Sequence, residues 1–289
     1  MSTRTRLGDP GAGPYAVAVD DLGTAWVALV HAGRLARIPA GGAPELLDLG
    51  NPQARPSQLA AAPGGAVWVT RNGVDRIVRL TADGTRRSVP LPTGTGPYGI
   101  TLGADGAVWF TAIGATAIGR IDPSGSASFT PLPPDSGMPA MITGGPDGAL
   151  WFTLNGTAAV GRIDATGTVT LQPLPDPACG PVGITADDDA VWFAEIGAGR
   201  VGRLTPEGDL REFALPDRAS RPHALVPDGA GGCWVTLWAG DALVRVDERG
   251  AVVAEHRFEP GDEPHGLAVA PYGAVLVALE SGFLATVGR

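Results

Sequence analysis

Short apolar runs, each broken by Gly, Asp or Pro, recur along all 289 residues. Their content of Val, Ile, Trp and Phe is that of β-strands separated by turns. No 3.6-residue apolar period persists between them, so helices are not expected. The runs themselves repeat. Tryptophans stand at 26, 68, 109, 151, 192 and 234, at intervals of 42, 41, 42, 41 and 42, and Leu276 holds the seventh place. A proline keeps the same phase at Pro14, Pro56, Pro97, Pro139, Pro181, Pro222 and Pro264. Each unit reads roughly P-x-x-I-x, then D-G-A-V-W-F-T, then I-G-R-I-D, then a T-x-x-x-L-P ending, and the clearest copy, PYGITLGADGAVWFTAIGATAIGRIDPSG, begins at Pro97.

Four strands in about 42 residues is the size of one propeller blade. The expected fold is therefore an all-β, seven-bladed β-propeller of four-stranded blades, one domain over 1–289 with repeats starting near 14, 56, 97, 139, 181, 222 and 264. A solenoid of the same unit would want atypical caps at both ends. Here the last unit supplies GLAVA, AVLVAL and FLATVG and then stops at Arg289 without a fourth strand. The residues before Pro10 are expected to supply that strand and close the ring. Six large aromatics in one phase are read as packing between blades, not as a ligand cage.

Composition narrows the class. The chain is 44% hydrophobic and 18% charged, with 43 Gly and 27 Pro spread throughout, which excludes a disordered or fibrous protein and suits many short strands and turns. A net charge of −9 argues against general affinity for nucleic acid or anionic lipid. Cys179 and Cys233 form no metal-ligand pattern and are expected to be free, buried thiols of a cytoplasmic protein. The N-terminus has no apolar run of a secretion signal, and no stretch is long and apolar enough to span a membrane.

Against a repeated scaffold, the positions that break the repeat are where chemistry is expected. The residue after the phased proline runs Tyr15, Ser57, Tyr98, Ala140, Val182, His223, His265. It enters the innermost strand and should face the axis at one end of the ring. The position four residues after each tryptophan phase runs Val30, Asn72, Ile113, Asn155, Ile196, Trp238, Glu280, at the end of the second strand and hence on the same face. His223, His265, Trp238 and Glu280 thus share one mouth, with Glu263 on the His265 loop, Tyr15 in the blade that adjoins the seventh on closure, and His31 nearby. Two neighbouring carboxylates invite a divalent cation, with oxygen ligation favouring Mg²⁺, Ca²⁺ or Mn²⁺ over zinc. A histidine beside them is a candidate general base. Arg71 and Glu195 are candidates for ion pairs across the same face. Asp187, Asp188 and Asp189 read as a turn, and His256 is assigned no role.

The repeat, ending in Arg221-Pro222-His223-Ala224, Glu263-Pro264-His265-Gly266 and Ala278-Leu279-Glu280, resembles the virginiamycin B lyase family over essentially the whole chain. The resemblance implies a monomeric seven-bladed propeller that opens type B streptogramins, small cyclic depsipeptide antibiotics, at the ester link by Mg²⁺-dependent elimination, conferring resistance. Carried over residue by residue, it implies His265 as the catalytic proton acceptor, Glu263 and Glu280 as metal ligands, and His223, Tyr15 and Trp238 as substrate-binding residues. The sequence departs from the family where W-F-T-E is often written. Arg71, Ala112, Leu154 and Leu237 take the fourth place, and only Glu195 keeps the glutamate. Two other readings stand beside this one. A metal-dependent hydrolase or lactonase would add water to its product, and a non-enzymatic ligand-binding propeller would not need His265.

Overall fold

The computed structural model describes residues 2–288. Seven four-stranded antiparallel sheets follow one another along the chain, and in six of them the strands run in simple sequence order from the axis outward. The tryptophan phase marks the second strand of every blade, as in Ala25–Leu29, Ala66–Arg71 and Val108–Ala112. The seventh blade is completed from the far end of the chain. Ser2–Arg6 pairs antiparallel with Phe283–Val287, from Ser2 opposite Val287 to Arg6 opposite Phe283. The expected ring closure is therefore the observed one.

The tryptophans are the mortar between blades. Trp26 packs with Val67 and Val69 of the second blade, Trp68 with Val108 and Phe110 of the third, and Trp192 with Val235 of the sixth. Trp234 meets Leu267 and Val277 of the seventh, and Leu276 closes the circle against Ala25, Val27 and Leu29. Truncating a core side chain of this size typically costs about 3–5 kcal/mol, so these contacts carry much of the blade-to-blade adhesion. Several of the indole N–H groups find partners at the turn between the first two strands. Trp26 donates to Asp20 at 2.9 Å, Trp151 to Asp147 at 3.0 Å and Trp192 to Asp187 at 2.7 Å. Asp187 also accepts the amides of Asp189 and Ala190, so the acidic triplet is the turn expected of it.

A second repeated device sets the inner strands. Each begins with a register irregularity just after its phased proline, as between Pro264 and Leu267 and between Pro222 and Leu225. Such a bulge re-aims the intervening side chain. In four blades a buried threonine bridges the gap and ties it to the next blade. Thr236 Oγ1 accepts the Ala224 amide at 3.0 Å and donates to the His265 carbonyl at 2.7 Å. Thr70, Thr111 and Thr153 donate in the same way to the carbonyls of Tyr98, Ala140 and Val182. Both cysteines are buried and unpaired, and burial pushes the Cys179 thiol up to about 12. No helix among the described residues is long and apolar enough to cross a membrane.

Candidate active site

The residue before the phased proline sits in the left-handed backbone region in six of the seven blades. Three of these are Gly13, Gly96 and Gly180, where such a turn is free of steric penalty. The other three are Arg55, Arg221 and Glu263, at φ of 47°, 52° and 47°. Non-glycine residues held there commonly mark functional sites, and all three sit at one mouth of the channel. Gly13 is needed for a further reason. A Cβ on it would stand 2.3 Å from Cδ2 of His31, so glycine alone lets that ring lie over the loop.

The bulge after Pro264 turns His265 into the channel, where it is 6% exposed. Its Nε2 lies 2.5 Å from Oε2 of Glu280, and Oε1 of Glu280 lies 3.1 Å from Nε2 of His31. Glu280 thus bridges two imidazoles. Around His265 stand the rings of Tyr15 at 4.6 Å, His223 at 4.7 Å edge-on and Trp238 stacked at 6.1 Å between centroids. Tyr15 Oη is 3.4 Å from Nε2 of His223 and 2.5 Å from Oη of Tyr98, which reaches across from the third blade. The Arg221 guanidinium covers Trp238 at 5.3 Å. The Glu263 carbonyl accepts the Glu280 amide at 3.3 Å, and the Glu263 amide donates to Asp241 at 2.8 Å, so the two glutamates sit on loops tied to each other and to the sixth blade.

The electrostatics follow from depth. Burial pulls the His265 pKa below the ordinary imidazole value against the opposing pull of Glu280 and Glu263, so the ring is neutral at pH 7. His223 keeps an accessible edge, but desolvation of its ring, reinforced by His265, pushes it down to about 3. Tyr15 is raised well above a free phenol, first by burial and then by Tyr98. Burial alone would raise Glu280, yet the hydrogen bonds from His265 and His31 outweigh it and hold the carboxyl below its usual range. His265 meets Glu280 through Nε2, and its Nδ1 is buried with no hydrogen-bond partner among the described residues.

Glu263 and Glu280 offer hard oxygen donors on adjoining loops, a donor set suited to Mg²⁺, which takes one or two carboxylates and keeps several waters. Among the described residues no group of three or more His, Cys, Asp or Glu side chains is placed to hold a metal ion.

A cavity of about 320 Å³ opens beside His265 and Glu280 and extends over the first three blades, lined by Tyr15, His31, Arg55, Ser57, Asn72 and Tyr98 among others. His223, Trp238 and Glu263 adjoin His265 outside this cavity's lining. Tyr98, Ser57 and Asn72 occupy the same two repeat phases as the residues singled out from the sequence, and that phase is the signal that could have identified them. A larger groove of about 490 Å³ lies between the turns of blades three and four at the opposite end of the ring. In it Asp105 pairs with Arg120 at 2.8 Å and Asp164 accepts from the Thr166 hydroxyl at 2.6 Å, so its carboxylates are engaged within the groove.

Arg71 and Glu195 do not pair across the face as expected. Alternation along the second strand turns both away from the channel and into the gap before the preceding blade. Glu195 is fully buried 3.2 Å from Arg200. Burial and then the neighbouring Glu212 push it up to about 7. A carboxyl raised in the folded state keeps its proton between pH 4.5 and 7 while the unfolded chain loses it, so native stability falls as pH rises through that window and stays lowered above it. Glu195→Gln is expected to remove this slope and leave the protein on the order of 2 kcal/mol more stable than the parent at pH 8, with no difference at pH 4. Denaturant melts of both proteins at the two pH values check it.

A propeller with a neutral histidine, a bridging glutamate and an aromatic wall at one mouth of its channel has the layout of a small-molecule enzyme. The virginiamycin B lyase family model matches residues 1–287, and the chain belongs to that family. No curated protein matches the chain. Among solved structures, a streptogramin B lyase is 32% identical over 99% of this chain and 96% of its own, with a TM-score of 0.94. Selenomethionine-substituted virginiamycin B lyase from Staphylococcus aureus is 33% identical over 99% and 98%, also at 0.94. A catalytically inactive histidine-to-alanine variant of the Staphylococcus aureus enzyme, determined with quinupristin, gives the same identity, coverage and TM-score.

Proposed function

We propose that this chain is a carbon–oxygen lyase that linearises type B streptogramins at the ester link by elimination, and so confers resistance to them. The observation that carries the proposal is the His265–Glu280 pair, a neutral base backed by a carboxylate, set among Tyr15, His223 and Trp238 in a member of this family. The quinupristin bound to the inactive histidine variant of a relative adds support for the substrate class and for a histidine in the chemistry.

His265 takes the proton α to the ester-bearing β carbon. The C–O bond then breaks, the carboxylate leaves with the electron pair, and the product is a linear peptide ending in that carboxylate and carrying a dehydrated residue. No water is consumed. The Glu280 carboxylate stabilises the imidazolium that forms, and His31 steadies the other oxygen of Glu280. His223 stays uncharged across the neutral range and serves as a hydrogen-bonding contact, not as an acid. Tyr15 and Trp238 present aromatic faces to the apolar ring of the substrate. Glu263 and Glu280 would hold a Mg²⁺ ion, which supplies Lewis-acid stabilisation of charge on the carbonyl oxygen. The protein is read as a monomer of the cytoplasm, and its two buried, unpaired thiols favour the reducing compartment.

Chromatography with mass spectrometry on a type B streptogramin, with Mg²⁺ and with EDTA, tests the proposal. The expected product has the mass of the substrate, fragments as a linear peptide and is absent with EDTA. A product heavier by one water would make the protein a hydrolase, and turnover that persists in EDTA would remove the metal role of the two glutamates.

A further inference from the structure

The gap between blades one and two holds a buried cation that pairs with no carboxylate among the described residues. Arg71 is 8% exposed, its Nε has no hydrogen-bond partner, and it takes part in no salt bridge. The neighbours on its face of the sheet share its sign. Val67 and Val69 pack against the first blade, so the pleat places Arg71 on that side too. Arg76 is its direct register partner in the next strand, and Val78 and Leu80 confirm that this strand shows the same alternation. Arg86 lies opposite Leu80 and reaches across to the Asp48 carbonyl of blade one, while Arg76 donates to Ser88 at 3.3 Å. The carboxylates of Asp48 and Asp75 are bound to backbone amides, Asp48 to that of Gly50 and Asp75 to those of Gly94 and Gly96.

The repeat shows what is missing. The position of Arg71 is filled by Leu29, Ala112, Leu154, Leu237 and Leu279 in five other blades, so packing alone does not require an arginine. In the remaining blade it is Glu195, whose register partner Arg200 corresponds to Arg76 and whose Glu212 corresponds to Ser88. There the arginine meets acids, with Arg200 2.5 Å from Asp176, 3.2 Å from Glu195 and 3.6 Å from Glu212. Blade two keeps the arginine of that arrangement, replaces Glu195 and Glu212, and adds two more cations.

We infer that Arg71, Arg76 and Arg86 form a binding site for a small oxyanion of the phosphate or sulfate class in the gap between blades one and two. Planar guanidinium groups suit such an anion because each offers paired N–H donors, and a partly buried site strengthens every one of those contacts. The site is separate from the His265 mouth and does not depend on the proposed reaction.

Thermal melts of the full chain in inorganic phosphate, matched in ionic strength with chloride, test the site. A saturable rise in melting temperature of about 2–4 °C at ten times the midpoint concentration is expected for phosphate and not for chloride. Arg71→Leu, the residue used in four other blades, should abolish the phosphate response. Arg71→Glu, which puts a carboxylate beside Arg76 in place of the cation, should likewise show no response to phosphate. Equal effects of phosphate and chloride on the parent, or a phosphate response surviving both substitutions, would overturn the assignment. Streptogramin turnover by Arg71→Leu should match the parent, so a failure of the lyase proposal leaves this result untouched.

Discussion

His265→Ala is expected to lower turnover of a type B streptogramin by roughly 10³-fold while leaving the fold and substrate affinity nearly unchanged. A positioned general base contributes about 10²–10⁴ in rate, and the other imidazoles cannot substitute for this one. His223 is held uncharged but its Nε2 faces Tyr15, and His31 is exposed with its Nε2 on the far oxygen of Glu280. Binding should persist because Tyr15, His223, Trp238 and the cavity over the first three blades remain. Stability should change little. Truncation removes a desolvated ring whose Nδ1 has no partner, and Thr236 grips the backbone carbonyl at residue 265 whatever the side chain. Steady-state kinetics would show the loss in kcat with KM within a few-fold of the parent, and a melt within a few degrees would show that the protein is folded. Parent-like turnover would transfer the base role to another residue and with it the whole reading of the mouth.

The ring and its mouth were legible in the sequence because a repeat carries its own alignment. The 41- and 42-residue spacing of tryptophans fixed seven blades, and the chain's early end after Phe283–Val287 pointed to the closing strand. The histidines after Pro222 and Pro264 and the glutamate at 280 stood out as departures from their own phase, and the structure brings them together. Other features depend on distances that phase does not encode. Tyr98 belongs to the third blade, yet the channel is narrow enough for its hydroxyl to meet Tyr15, and no spacing along the chain reveals that width. His31 was placed on the correct face, but its bond to Glu280 requires the bare backbone of Gly13 beneath its ring. Arg71 and Glu195 were assigned to the mouth because they end the second strand. The two-residue pleat turns them sideways into the gaps between blades, where burial governs their charge state and the channel does not.

Removing residues 1–9 is expected to lower the melting temperature by more than 10 °C and to abolish turnover well below the new melting point. The deletion strips Ser2–Arg6 from the rim of blade seven and with it five paired positions. It also removes Leu7, which is fully buried among Ala12, Leu29, Ala278 and Leu284 and alone accounts for about 2–3 kcal/mol. Arg4 donates to buried Asp262 at 2.7 Å, and its guanidinium and that of Arg6 lie over the Phe283 ring at 4.3 and 4.7 Å. Losing the cation from a buried carboxylate adds a further cost of several kcal/mol, so the total is on the order of 5 kcal/mol or more, which at this size corresponds to the stated drop. The link to activity is local. Asp262 precedes Glu263 and accepts from Ser281, which follows Glu280, at 2.5 Å. Arg4 therefore holds the clasp between the two loops that carry the carboxylates. Without it the glutamates lose their fixed separation even while the remaining blades stay folded. Calorimetry on the truncated protein, with turnover measured 10 °C below its midpoint, separates the two effects. An unchanged melting temperature would mean that the closing strand adds nothing to the ring. Full turnover in a destabilised protein would mean that closure serves stability alone and the clasp plays no part in holding the site.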